Sequence, residues 1–274
     1  MMQMLLKGGK DKVVTLSYDD GVVQDIRLSE IAKKYGLKIT FNINTGLYLD
    51  ENQEREKFYG RMKLSEAQEL YINSENEVAV HTLTHPFLEE LTNTEMINEI
   101  MTDRKNITEQ YNCIANGMAY PQGTYDDRVI DIVRKCGIAY SRTTKSTEGF
   151  GFPTDWITLH PTCHHNNPRL MELAEQFVQG DRWGRSRMFY LWGHSYEFDN
   201  NDNWDIIENF AEFIGNRDDV WYATNIEIYN YVMAYNSLQT SADLKMIYNP
   251  SAIDVWAADN EGVFCIESGK TVFR

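Results

Sequence analysis

The sequence predicts an α/β domain with parallel strands inside and helices outside, on three observations. Apolar β-like runs alternate with helical patterns from residue 13 to residue 224. Chemistry-bearing residues fall at the carboxyl ends of those runs. The chain has 274 residues, 42% hydrophobic and 24% charged, which suits one large domain with a well-buried core. Alternation implies parallel pairing, because a helix is the usual crossover that returns the chain to start the next parallel strand.

The strand-like runs are 13–17, 38–43, 77–80, 114–120, 138–141, 156–159, 187–192 and 220–224. The first helix, 24–35, keeps Ile26, Leu28, Ile31 and Ala32 on one stripe. A second follows Ser65, where Ser65 and Gln68 are spaced as a capping box. A third starts at another such box, Thr92 to Glu95, and carries Met96, Ile100 and Ile107 at helical spacing. A fourth, 125–135, stops before Cys136-Gly137, where glycine ends it. Beyond it the runs 244–248, 252–258 and 262–266 surround the turns at Asn249-Pro250 and 259–262. Residues 1–239 therefore read as the main domain and 240–274 as a small β extension packed on it, structural or shaping the substrate entrance, with structural favoured.

Composition excludes several function classes. A formal charge of −15 argues against nucleic acid and anionic membrane surfaces, which call for basic stripes. No run approaches the ~20 apolar residues of a membrane span. The first nine residues have too short an apolar run, with no basic residues before it, for a secretory signal. The four cysteines, 113, 136, 163 and 265, lack Cys-x-x-Cys spacing. Reduced thiols in a cytoplasm are expected, a trimmed exported chain being the alternative.

Four segments carry chemistry. The run 13–18 delivers Asp19-Asp20-Gly21, and later comes His81-Thr82-Leu83-Thr84-His85-Pro86. Alone, the first reads as a turn and the second as a solvated histidine pair. Together, two imidazoles and one carboxylate make a three-ligand site with positions open for water and substrate on a zinc-like ion. Asp19 and Asp20 can take different tasks, because successive side chains of an extended segment project oppositely. Ala119-Tyr120-Pro121-Gln122-Gly123 ends a third run, and Met188 to His194 forms a late strand that terminates in histidine.

These segments resemble the polysaccharide deacetylase family, carbohydrate esterases whose motifs are Thr-Phe-Asp-Asp-Gly, His-Ser/Thr-x-x-His-Pro, Arg-x-Pro-Tyr-Gly and a late strand ending in histidine. The resemblance implies a distorted (β/α)7-type barrel of parallel strands over roughly 12–235, followed by the small C-terminal β appendage. It implies one divalent metal ion, zinc first and Co2+, Ni2+ or Mn2+ as alternatives, held by Asp20, His81 and His85. Asp19 is then the general base, and His194 the acid that protonates the leaving group. The Gln122 backbone N–H stands where the family's oxyanion donor lies.

Two departures bear on this. Ala119 replaces the arginine that pairs with the catalytic aspartate, so another cation must hold Asp19 ionised, and Arg142 is the candidate. Gln122 replaces tyrosine, at little cost, since only a backbone donor is required. Asp155-Trp156 resembles the end of a remaining motif in which aspartate orients the catalytic histidine, with a plain strand-start turn as the alternative. Tyr120, Trp192 and His164 are candidate substrate contacts, and Leu191 and Trp192 could line an acetyl methyl pocket.

The segment His160, Cys163, His164 and His165 admits three readings: a second metal, substrate contact or a structural loop. The partner implied is an acetylated mono-, oligo- or polysaccharide, with oligomeric state open. Sugar stacking in the loops after Ser195 and around Arg182-Trp183-Gly184 is compatible with their aromatic content. Two rivals remain: hydrolysis of a non-sugar or cyclic amide on the same fold, and a non-catalytic carbohydrate-binding relative.

Overall fold

Strand β2 (Lys12–Asp19), which follows the short β1 (Gln3–Leu5), is buried at every one of its residues, as a central parallel strand covered on both faces must be. The structure, a computed structural model, describes residues 2–55, 59–72, 74–181 and 184–274. Outward from one edge of β2 lie β3 (Ile39–Ile43), β4 (Glu77–Val80), β5 (Gly117–Ala119) and β6 (Tyr140–Arg142). On the other side come β8 (Arg187–Gly193) and then β7 (Cys163–His164). Every pairing in this sheet is parallel.

The distortion has a local cause. β8 pairs with β2 from Lys12 to Tyr18 and so fills one edge. A strand has two edges, so β3, paired at Leu16–Asp19, and β9 (Val220–Tyr222), paired at Lys12–Val14, share the other. The result is the distorted (β/α)7-type barrel that the sequence predicts, with seven strands in one hydrogen-bonded order and β9 off that path.

Helices α1 (Gln24–Lys34), α2 (Leu64–Tyr71), α3 (Asn93–Tyr111), α4 (Asp127–Lys135), α5 (Leu170–Gln179), α6 (Tyr196–Asn200), α7 (Asp205–Ile214) and α8 (Asn225–Asn236) connect the strands. In α4 the apolar residues Val129, Ile132 and Val133 share a buried face. Asp126 caps it by accepting from Val129 N at 2.8 Å, a bond of a type worth about 1 kcal/mol. Gly137, at φ +75°, stops it where the sequence predicts. The Thr92–Glu95 box at α3 forms as read.

Two expectations are corrected. The helix after residue 63 is capped by Glu66, whose carboxylate accepts from Lys63 N at 2.9 Å, and Ser65 bonds Glu51. Residues 156–159 form a 3-10 turn with a single bridge from Leu159 to Arg142, because Asp155 accepts from Ile157 N and curls the backbone. The strand on that side is β7, too short to show a period.

A polar plug fills the barrel's amino-terminal mouth. Glu77 is buried and accepts from Thr40 Oγ1 (2.9 Å), Tyr140 OH (2.7 Å) and Ile226 N at the start of α8 (2.9 Å). Asn225 joins Thr15 Oγ1 to Tyr190 OH. Burial pushes the Glu77 carboxyl up to about 7.

The chain ends in two small antiparallel sheets. One pairs β11 (Met246–Tyr248) with β10 (Gln239–Thr240) and β14 (Thr271–Phe273). In the other, β12 (Val255–Asp259) pairs with β13 (Gly262–Ile266) and with β1 from the start of the chain. Ala234 of α8 packs with Ile247, Val255, Ala257 and Ile266 beneath them. Among the described residues no helix is long and apolar enough to cross a membrane.

Candidate active site

The carboxyl ends of β2, β4, β5, β6 and β8 bring together most of the residues singled out in the sequence. Asp19 is still in register, opposite Asn42 of β3. Asp20 then turns to φ +87°, and this reversal separates the two carboxylates. Asp20 Oδ1 lies 3.8 Å from His81 Nε2 and 3.6 Å from His85 Nε2. Asp19 Oδ2 lies 3.9 Å from His81 Nε2 and meets the Arg142 guanidinium, while Oδ1 accepts from Asn42 Nδ2 at 2.8 Å.

Four non-glycine residues hold positive φ here: Asp20, Thr82 (+66°), His85 (+60°) and Gln122 (+59°). Such conformations persist where surrounding bonds over-determine them. Asp20 N donates to Asn42 O at 2.8 Å, His85 N donates to Thr82 Oγ1 at 3.2 Å, and Asn44 Nδ2 donates to Thr82 O at 2.9 Å.

The donor set fits a divalent metal. His81 Nδ1 sits 2.9 Å from Ala119 O, and a carbonyl only accepts, so Nδ1 carries the proton and Nε2 a lone pair. That Nε2 is buried without a hydrogen-bond partner and faces Asp20 and His85. Asp20, His81 and His85 ligand atoms lie within 4.8 Å of one another. Burial, opposed by the nearby aspartates, takes His81 down to about 4 and lowers His85, so both are neutral, as ligands must be.

Arg142 has no exposed surface, its guanidinium stacks 4.4 Å above the Trp192 ring and bonds Asp19, and its backbone lies in register beside Ala119. Burial alone would raise Asp19. The Arg142 charge and its bond to the carboxylate, with His194 beside them, outweigh it and set the carboxyl below its usual value.

His194 Nε2 stands 3.9 Å from both Asp19 Oδ2 and Asp20 Oδ2. Its orienting carboxylate is not Asp155, which pairs with Arg134 and caps the 3-10 turn. Glu197, on the first turn of α6, accepts from His194 Nδ1 at 2.8 Å. Burial would lower His194, but the bond to Glu197 and the charges of Asp19 and Asp20 raise it above its ordinary value. The i, i+3 spacing of His194 and Glu197 was the available sequence signal, and the Asp155 motif obscured it.

Glu197 Oε2 also receives Asn166 Nδ2 (2.8 Å) and faces His165 Nε2 (3.1 Å) and His164 Nε2 (3.5 Å). These ligand atoms too lie within 4.8 Å of one another. However, Asn166 N donates to His164 Nδ1 at 3.2 Å, which leaves the His164 proton on Nε2, aimed at Glu197. The segment therefore forms a hydrogen-bonding hub on Glu197. Cys163 is buried in the core, and His160 pairs with Thr143.

Tyr120 is corrected: it is 1% exposed and donates to Ile157 O at 2.9 Å, so it faces the core, away from substrate. Trp192 lies beside His164 and His194 at the site. Gln122 is exposed, and its side-chain amide reaches His85 Nδ1 at 3.0 Å. Arg61 bonds Asp20 O and Asn44 Oδ1, a neighbour that no motif announced. Arg182 and Trp183, considered for sugar stacking, lie outside the described residues.

Residues 7–141 match the sequence model of the polysaccharide deacetylases. Chitin deacetylase 1 of Cryptococcus neoformans is 31% identical over 106 residues, which is 37% of this chain and only 23% of that protein. A Mycobacterium smegmatis structure assigned to the polysaccharide deacetylases superposes with TM-score 0.57 at 13% identity, covering 85% of this chain and 94% of the other. A carbohydrate esterase family 4 pseudoenzyme from Bacillus anthracis gives 0.50 at 19%, covering 80% and 66%. The two structural likenesses speak to fold.

Proposed function

Residues 7–141 place the chain in the polysaccharide deacetylase family, and from that premise we propose that it is a metal-dependent hydrolase removing acetyl groups from an N- or O-acetylated carbohydrate. The observation that carries the proposal is the convergence on one cleft of a neutral two-histidine, one-aspartate donor set, a second ionised aspartate and a histidine raised towards its charged form.

A divalent cation held by Asp20, His81 and His85 supplies Lewis-acid polarisation of the acyl carbonyl and eases ionisation of the attacking water. Asp19, kept anionic by Arg142, accepts the proton that water gives up, and Asn42 holds its other oxygen. The Gln122 N–H, on the turn after β5, is the proposed donor to the developing oxyanion, a contribution of about 3–4 kcal/mol in other hydrolases. His194, with its proton on Nε2 and Nδ1–H bonded to Glu197, protonates the departing amine or alkoxide. Trp192 and His164 form one wall beside His194, where the acetyl or sugar would sit.

The binding-module rival draws on the pseudoenzyme relative and on Ala119. Against it, the cation missing from position 119 is present at Arg142, so base and acid both retain their partners. The test is acetate release by zinc-loaded protein from a panel of N- and O-acetylated mono- and oligosaccharides, beside chelated and Asp19→Asn samples. Release lost in both controls supports the assignment. Silence across the panel with metal bound moves it to a non-sugar amide or to binding alone.

A further inference from the structure

Resting on the metal reading above, we infer that Gln122 is a positioning residue for the metal site: its side-chain amide fixes the tautomer and ring direction of His85. The two histidine ligands are held differently. His81 is fully buried, with its Nδ1 facing the Ala119 carbonyl, a partner that cannot be mutated away and can only accept. His85 is partly exposed, in a left-handed backbone conformation, and its Nδ1 faces the Gln122 amide nitrogen, Nε2, at 3.0 Å.

A neutral imidazole carries one proton. For His85 Nε2 to offer a lone pair beside Asp20, the proton must sit on Nδ1, and its partner must accept. An amide supplies either role, because a half-turn about its last torsion exchanges oxygen and nitrogen. With Nδ1 protonated, the oxygen faces the ring, and the amide gives up only its 3.4 Å contact with His85 O. With the nitrogen facing the ring, as the structure places it, Nδ1 accepts and Nε2 carries the proton, so taking up the cation requires that half-turn. Gln122 also sits at φ +59°, so its side chain leaves the turn in a direction set by the same backbone reversal that presents its N–H. Tyrosine, the family's residue at this position, has no carbonyl-type acceptor.

The experiment is calorimetric titration with Zn2+ alone, on wild type, Gln122→Leu, Gln122→Glu and His81→Ala, with thermal melting of each. Gln122 is exposed, so its variants should melt as wild type does. The expected result is a Kd about 10–100-fold weaker for Gln122→Leu, the usual size of effect for a residue behind a metal ligand. Gln122→Glu, an obligate acceptor, should bind at least as tightly as wild type. Equal Kd for wild type and Gln122→Leu, or equal weakening in Leu and Glu, overturns the inference and leaves the metal site standing. Wild-type binding that is absent, or that His81→Ala does not weaken, overturns the metal reading and this inference with it.

Discussion

Replacing Arg142 with alanine should move the acidic limb of the pH–rate profile upward. Arg142 and Asp19 form an ion pair with side chains 0% and 3% exposed. Unit charges about 4 Å apart at an effective dielectric near 20 attract by about 4 kcal/mol, all of it favouring the carboxylate over the neutral acid. Asp19 is lowered in the folded protein because Arg142 outweighs its burial, so activity that needs the anion fails only as pH falls through that low value. In Arg142→Ala burial dominates, Asp19 titrates higher, and the acidic limb of kcat/KM for acetate release follows. Unpairing a buried carboxylate should also cost about 3–5 kcal/mol of stability, visible as a lower Tm. Arg142→Lys keeps the charge and should show a smaller shift, which guards against a variant that simply unfolds. An acidic limb unchanged in folded Arg142→Ala, or one moved as far in Arg142→Lys as in Arg142→Ala, would refute the reasoning.

Glu197→Gln should lower kcat by about 10²–10⁴ and move the alkaline limb to lower pH. The sign follows because Glu197 helps raise His194, and an acid catalyst is lost as pH climbs through its pKa. Asp155→Ala, by contrast, should leave acetate release within twofold of wild type, since Asp155 touches Arg134 and a turn; a large loss would restore it as the histidine's partner. Glu77 is raised to about 7 from 4.5, so its protonation favours the folded state at low pH. Wild-type stability in denaturant should fall by about 3 kcal/mol between pH 4.5 and 7 from this group, and Glu77→Gln should flatten that slope. A slope unchanged by the substitution would exclude Glu77 as its source.

What the sequence revealed and what it concealed divide along physical lines. The strand ends carrying Asp19, Asp20, His81, His85 and His194 were legible, because β-branched and apolar runs stop where a polar cluster begins. Arg142 was a candidate through the resemblance, since Ala119 stands where an arginine is expected and an ionised aspartate there calls for a cation. Glu197 was missed because a two-residue motif match at Asp155 outweighed the i, i+3 spacing beside His194. Tyr120 was misplaced because a strand-end tyrosine can face either layer, and only the packing against Tyr125 and the Ile157 carbonyl decides which. β7 and β9 were hard to delimit because two or three residues give no measurable period, and the sharing of one β2 edge by β3 and β9 is a property of register alone.

The left-handed backbone at Asp20, Thr82, His85 and Gln122 has an evolutionary consequence. Each such residue costs about 1–3 kcal/mol relative to a relaxed conformation, a cost that glycine largely escapes. While activity is under selection, the ligands and their supports keep the bulkier side chains in place. Once that selection relaxes, glycine at the exposed position 122 relieves backbone cost with little packing to lose, so decay of the catalyst there runs downhill in folding energy. A descendant that has ceased to turn over substrate should record the event as glycine at position 122, and should melt higher than its active ancestor.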